Sequence, residues 1–422
     1  MKFRLQFLFL VLAISFFSVQ HAAAAPAPAA APSFQVNARS ALLINALTGK
    51  VIFEQNADDR IPPASLIKIM TLYLIYDAID SGNAKLTDMV TISQRAWKFG
   101  GSQMYLEVNM QVPLSDIIKG ITVVSGNDAC VAAAEHLSGT EEVFVELMNK
   151  KAAELGMTSS LFKNCHGLPI EGQYTTARDM ATLAYNYLKT HPHATEIHSL
   201  KEFTFNNITQ QNRNKLLWRD PGVDGLKTGW IQESGYHLIA TAHKENDRYI
   251  AVVMGAKNHT LREEEALKLL NYGFRNFKTT ELVQKGGPVA TVPVWNGIES
   301  EVSLAAVESS FVTVPRSQAG AAQIQQDVPA GVFAPVTQGQ KIGALKIMVD
   351  GKPYAEIPLA ALAAVEKTGF AKQVLQTIGR SFITPPYWGV IAVVLIIILL
   401  VAGVSLTRGG GSKKKKDNSL IS

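Results

Sequence analysis

Apolar residues fall into three kinds of stretch along this 422-residue chain, and each kind predicts a different element. The first kind is long and uncharged, and it occurs at both ends. Lys2 and Arg4 precede a predominantly apolar run over 5–19, and four alanines at 22–25 follow it, the layout of a secretory signal peptide with small residues at the cleavage site. Residues 1–24 are assigned to that signal and the Ala/Pro-rich stretch 25–33 to an extended linker. At the other end no charge occurs between Arg380 and Arg408, and 388–406 is almost wholly Val, Ile, Leu, Ala and Gly. A helix there, at about 1.5 Å per residue, matches a hydrocarbon layer of roughly 30 Å, so 387–406 is predicted to span a membrane.

The second kind mixes short β-rich runs with longer runs of helical spacing, from 34 to 279. Residues 40–47 and 51–55, separated by Thr48-Gly49-Lys50, predict a hairpin. Leu66, Ile69, Met70, Leu72, Tyr73 and Ile75 predict a mostly buried helix begun after Pro62 and Pro63. Further helices are predicted over 114–121, 129–137 and 263–276, and strands over 225–230, 235–242 and 249–256. This domain is read as α/β (α+β). The third kind, Val- and Pro-rich short runs such as 288–294, 310–314 and 342–349, predicts a small all-β domain over 282–369. A linker over 370–386 joins it to the spanning helix, and 407–422 is a basic tail.

Charge adds an orientation. The chain carries +5, but residues 408–422 hold +4 of it and Lys2 and Arg4 another +2, leaving −1 for everything between. The basic pI therefore belongs to the ends, and no nucleic-acid footprint remains. Lys413, Lys414, Lys415 and Lys416 beyond the apolar run place the tail in the cytoplasm and the folded body outside. The two cysteines, Cys130 and Cys165, would lie in a disulfide-permissive compartment, yet Cys130 sits in an apolar run where a buried free thiol is the commoner outcome.

Candidate chemistry comes from three motifs in order: Ser65-Leu66-Ile67-Lys68, Ser125-Gly126-Asn127 and Lys227-Thr228-Gly229. Each also occurs elsewhere, at Ser160-Leu161-Phe162-Lys163, Ser412-Lys413-Lys414-Lys415, Ser81-Gly82-Asn83 and Lys367-Thr368-Gly369. A bare match could be a helix-start serine with a solvated lysine, so setting must discriminate. Ser81 follows a helix in a polar turn, and Lys367 follows the Ala-rich run 359–365 and is read as a helix end. The first set differs, because Ser65 is predicted in a helix first turn with Lys68 on the same face, Ser125 to connect two helices, and Lys227 to lie on a strand.

Acyl transfer needs a nucleophile, a base, oxyanion donors and an acid for the leaving amine. Ser65 and Lys68 suit the first two, with the Ser65 amide free at a helix start. Lys68 must be neutral to act; moving its pKa from about 10.4 to near 7 requires on the order of 4 kcal/mol, from burial and a nearby cation such as Lys227. Ser125 can relay a proton, Asn127 can hold a substrate amide or Lys68, Lys227 and Thr228 can bind a carboxylate, and an unobstructed edge at Gly229 admits an extended peptide. No His-x-x-x-His or Cys-x-x-Cys spacing occurs, so no metal or cofactor is predicted, and His166 is read as shaping a loop.

These motifs, with His166-Gly167-Leu168, Thr175-Thr176-Ala177-Arg178-Asp179-Met180, Asn212-Arg213-Asn214 and Val223-Asp224-Gly225, resemble the penicillin-binding protein and serine β-lactamase superfamily, and within it the low-molecular-mass D-alanyl-D-alanine carboxypeptidases. The resemblance implies that fold for the first domain and a serine carboxypeptidase that trims D-Ala from peptidoglycan stem peptides and is inhibited by β-lactams; the two ends read above then hold it in the inner membrane facing the periplasm. It implies Ser65 as nucleophile, Lys68 as base, Ser125 and Asn127 as relay and positioning groups, and Lys227, Thr228 and Arg262 as carboxylate binders. An oxyanion hole from the Ser65 and Trp230 amides is implied as well. Two departures stand out: Trp230 where some relatives carry His, and a spanning helix where many carry an amphipathic one. Competing readings are an endopeptidase on cross-links, a β-lactamase, and a non-catalytic wall-binding scaffold.

Overall fold

Strands from the two ends of the first domain pair side by side, so the chain must close on itself before its central sheet exists. In the computed structural model, which describes residues 34–318, 320–369 and 394–398, five antiparallel strands lie in the order β2-β1-β5-β4-β3. They are β1 (Ser40–Asn45), β2 (Val51–Gln55), β3 (Val223–Ile231), β4 (Gly235–Lys244) and β5 (Asp247–Ala256). The division of the chain falls after Asn37, and residues 34–37 carry neither helix nor strand.

β1 is buried at every position, and alternation sends its residues to two covered faces. Leu42 and Ile44, with Ile250, Val252 and Met254 of β5, join the main core. That core also receives α1 (Lys68–Asp80), α2 (Asn127–Ser138), α3 (Glu141–Glu154) and α4 (Ala177–Thr190). α5 (His259–Asn276) packs on β1, β4 and β5, where Gly273 leaves room for the Tyr249 ring, 3.0 Å from where a Cβ would stand. α1 is buried nearly all round, as its apolar sequence requires.

The second domain is all-β, as expected. A ladder of Phe277–Val283 with Ser310–Pro315 leads into a six-stranded sheet. A row of buried polar contacts ties the ladder to the first domain: Asn45 Nδ2 donates to Thr279 Oγ1 at 2.8 Å, and Thr279 Oγ1 lies 3.0 Å from Thr313 Oγ1. The Ala-rich run corrects the helix-end reading. Its first three residues end strand Lys352–Ala361, with Ile357, Leu359 and Ala361 buried alternately, and beyond it Val365 and Lys367 form isolated bridges with Val336 and Gly297. Period-two burial against the sheet overrides the helix propensity of alanine there.

Among the described residues no helix is long and apolar enough to cross a membrane. The expected span 387–406 lies outside them except for 394–398, which are helical. The expected signal over 1–24 lies wholly outside, and the 25–33 linker does too. Cys130 and Cys165 are free and buried, with burial pushing the Cys130 thiol up to about 12.

Behind β3, His198 is completely buried and bonded on both sides: Nδ1–H donates to Leu226 O at 2.9 Å, and Nε2 accepts from the Tyr187 hydroxyl at 3.1 Å. Burial first, and Lys227 after it, hold its pKa down to about 4. An unfolded histidine takes its proton near 6.5, so between about 6.5 and about 4 the unfolded state binds more protons than the folded one, and stability falls as pH falls. We expect Tm to drop by several degrees between pH 7 and pH 4.5, with a shallower slope in His198→Asn, which keeps the donor to Leu226. Thermal melts across that window check it; an unaltered slope in the variant would mean that His198 does not contribute.

Candidate functional site

The three motifs converge at the open edge of the sheet. Residues Ala64–Ile67 form a tight 3-10 turn, Lys68 is the first residue of α1, and the turn lies against β3. Ser65 is therefore in the turn ahead of the α-helix rather than in its first α-turn. Gly229 makes this approach feasible: a Cβ there would stand 3.3 Å from the Ser65 amide nitrogen and 3.2 Å from Ala64 Cβ. On the other side of the turn, Gly167 at φ +88° fits where a Cβ would lie 2.0 Å from Ala64 O.

Ser125 ends a π-helical turn, Gly120–Val124, and adopts left-handed geometry at φ 63°, ψ 35°. A serine there costs on the order of 1 kcal/mol, and π-turns and left-handed residues concentrate where a side chain has to be aimed. Asn127 is the first residue of α2 instead of part of the connecting loop; its amide donates to Ser102 O at 2.7 Å and its Nδ2 to Gly100 O at 2.8 Å. These bonds orient its Oδ1 toward Lys68.

Lys68 is wholly buried. Its Nζ donates to Ser65 Oγ at 2.9 Å, to Asn127 Oδ1 at 2.8 Å, and to the carbonyl of His166. Lys227, also buried, donates to Ser125 Oγ at 3.0 Å and to Thr228 O at 3.1 Å. Every one of these acceptors is formally neutral. Burial pushes the Lys68 pKa down, aided by the charge of Arg213 and opposed by the neighbouring thiols. Burial depresses Lys227 further, with Lys68 and Arg213 adding to it. Arg213 is thus a cation that acts on both lysines, and Lys68 and Lys227, as neighbouring ammonium groups, disfavour each other's charge.

These groups open into a cleft of about 710 Å³. Thr228, Gly229, Trp230 and Arg262 line it with Ser65, Ser125 and Asn127, so the sequence-predicted set is brought to one place; Lys227 reaches it through Ser125. β3 is the edge strand, with the row of backbone groups beyond Gly229 facing the cleft. Trp230 is 55% exposed and packs on Tyr236 at 5.8 Å between ring centroids. Arg262, on α5, is buried; its guanidinium lies over the Tyr236 ring and touches Glu263, while its buried Nε has no hydrogen-bond partner among the described residues. The duplicate motifs lie elsewhere: Ser160 Oγ donates to Asp179 Oδ2 at 2.7 Å, Ser81 caps the end of α1, and Ser412 is outside the described residues.

Several contributors escape motif reasoning. The His166 carbonyl is one, held by Glu141, whose Oε1 accepts from the Cys165 amide at 3.1 Å and lies 3.4 Å from His166 Nε2. Arg213 is another: Asn212 and Asn214 pin its turn, Asn214 Nδ2 donating to Gly225 O at 3.0 Å, and leave Arg213 on the cleft wall. Asp128 is a third, a buried carboxylate that accepts from the amides of Met104, Tyr105 and Leu106 and so fixes the rim opposite β3. The quoted His166-Gly167-Leu168 and Asn212-Arg213-Asn214 were the available signals, but a backbone acceptor and an anchoring asparagine have no spacing rule.

The chain matches the family described as D-alanyl-D-alanine carboxypeptidase over residues 23–258, and the penicillin-binding protein 5 C-terminal domain over 277–367. It is 41% identical to the D-alanyl-D-alanine carboxypeptidase DacC of Escherichia coli K12, over 83% of this chain and 90% of that one. Penicillin-binding protein 5 from Haemophilus influenzae superposes with a TM-score of 0.71 at 38% identity, covering 80% of this chain and 100% of the other. Penicillin-binding protein D2 from Listeria monocytogenes, in its ampicillin-bound form, matches 58% of this chain and 100% of its own at 29% identity, with a TM-score of 0.54. With the fold, the convergence of the three motifs and these likenesses in agreement, the chain belongs to the D-alanyl-D-alanine carboxypeptidase family of serine peptidases.

Proposed function

We propose that this carboxypeptidase removes the terminal D-Ala from peptidoglycan stem pentapeptides through an ester on Ser65. The observation that carries the reading is the 2.9 Å hydrogen bond between Ser65 Oγ and a wholly buried Lys68 ammonium whose pKa is pushed down. In the neutral form, Lys68 takes the Ser65 proton as Oγ attacks the carbonyl of the penultimate residue. The Ser65 and Trp230 amides hold the oxyanion. The C–N bond then breaks as the proton that Lys68 took from Ser65 is passed by way of Ser125 to the departing amine of D-Ala, which leaves Lys68 neutral again. Water, deprotonated by Lys68, adds to the ester; its C–O bond breaks as Lys68 gives that proton to Ser65 Oγ, which restores both groups and releases the shortened stem.

Substrate polarity follows from the walls. Lys227 through Thr228, with the unpartnered Nε of Arg262, receives the terminal carboxylate, while the β3 edge pairs with the extended stem. A β-lactam, which carries an equivalent carboxylate and a strained amide, acylates the same serine. The membrane arrangement rests on the uncharged stretch 387–406 and the lysines beyond it: the body faces the periplasm and the tail faces the cytoplasm. In spheroplasts, protease added outside should leave the tail intact; its digestion would overturn that orientation.

Fluorescent penicillin should label the wild type and leave Ser65→Ala unlabelled, with no free D-Ala released from a pentapeptide by the variant. Equal labelling of both would remove Ser65 as the nucleophile. Because Lys68 must be unprotonated, kcat/KM should fall on the acid side as pH drops through its depressed pKa, and Lys68→Ala should reduce acylation by about 10²–10⁴-fold. Arg262→Gln should raise KM for the pentapeptide roughly tenfold or more, with a smaller change in kcat. Steady-state kinetics across pH decide both, and a kcat-only effect at 262 would place the carboxylate elsewhere.

A further inference from the structure

The oxyanion hole just described needs two amides from different elements, one on the 62–65 turn and one on β3. Beneath them lies a chain of polar groups that none of the motifs includes. Gly229 of β3 is paired with His237 of β4, so the two project on the same face, the one covered by the turn. Gly229 contributes no side chain, and His237, fully buried, occupies the floor beside it.

The hydrogen bonds of His237 run in one direction. The pairing of β4 with β5 shifts register between Tyr236 and Leu238, and there the Gly255 amide donates to His237 Nδ1 at 2.9 Å. Nδ1 being an acceptor, the ring proton is on Nε2, which donates to Ser234 Oγ at 2.8 Å. Ser234 donates in turn to Pro62 O at 3.2 Å. Pro62 is three residues ahead of Ser65, and Pro63 between them stiffens the connection. The ring stays neutral at working pH, since burial holds its pKa down to about 4.

We infer that Ser234 and His237 are positioning residues that set the width of the oxyanion hole, tying the turn that carries the Ser65 amide to the strand pair that carries the Trp230 amide. The inference rests on the acyl-enzyme reading. Neither side chain touches substrate. Each acts through the Pro62 carbonyl, and slack in that tie moves one donor relative to the other, where misplacement is felt mainly in the transition state.

Full-length Ser234→Ala, His237→Asn and His237→Gln provide the test. Asn keeps an acceptor near the position of Nδ1 and loses the reach to Ser234; Gln keeps a donor near the position of Nε2. Ser234→Ala and His237→Asn should lower kcat for D-Ala release, and the rate constant of penicillin acylation, by about tenfold, with KM within about twofold of the wild type. His237→Gln should recover most of that loss, and the Ser234→Ala/His237→Asn double variant should be no slower than the worse single one. Acylation at the wild-type rate in Ser234→Ala overturns the inference, and so does a loss in kcat that Gln does not recover. A wild-type enzyme that fails to acylate on Ser65 overturns the acyl-enzyme reading together with it, so the two failures are distinguishable.

Discussion

Two lysine side chains buried within one site, with only neutral acceptors around them, are the constraint on which the rest of the first domain depends. Removing an ammonium from water costs several kcal/mol even after relaxation, and a second nearby raises the cost for both. A carboxylate in contact would relieve it and also keep the lysines charged. Instead Lys68 meets a hydroxyl, an amide oxygen and a carbonyl, and Lys227 meets a hydroxyl and a carbonyl. Hydrogen bonds of this kind hold the nitrogens in place without fixing the proton, which is what a base and a proton relay require.

The surrounding architecture follows from keeping these acceptors in register. The His166 carbonyl is aimed by Glu141, the Asn127 amide by the Gly100 and Ser102 carbonyls, and Ser125 by a π-turn that ends in left-handed geometry. Lys227 is fixed by its strand, which His198 supports from behind at Leu226 O. Each support comes from a different segment of the chain, and the central sheet, which pairs β1 with β5, is what brings those segments to one edge. Catalytic geometry and the closure of the fold are therefore one problem.

What the sequence disclosed sorts by range. Ser65, Lys68, Ser125, Asn127 and Lys227 were readable because each motif sits at a local boundary with its own signature: prolines before a helix, a loop between helices, a strand before a hairpin. The period-two and helical patterns located β3, β4, β5 and α5 for the same reason. The readings that needed adjustment were those in which tertiary burial outweighs local preference, as in the alanines that end strand Lys352–Ala361 or the placement of Asn127 inside α2. The part of Arg213 beside both lysines was invisible for a further reason. Arg213 stands on a turn whose position depends on Asn214 reaching Gly225, a contact between segments that no spacing encodes.

Glycines at the centre of the site make the same point from the opposite side. Gly229 is part of a motif, yet its value lies in what it allows: the Ala64–Ile67 turn approaches β3 to within van der Waals distance of the missing side chain, and Gly167 does the same for the Ala64 carbonyl. Leu66 and Ile67 anchor the far end of the turn in the core, but its Ala64 end, flanked by the two glycines, is met there by backbone without side chains. A directional tie from Ser234 to Pro62 O supplies what the glycines remove. Close approach and fixed position thus come from different residues, and a substitution at Ser234 can loosen the site while leaving every motif intact.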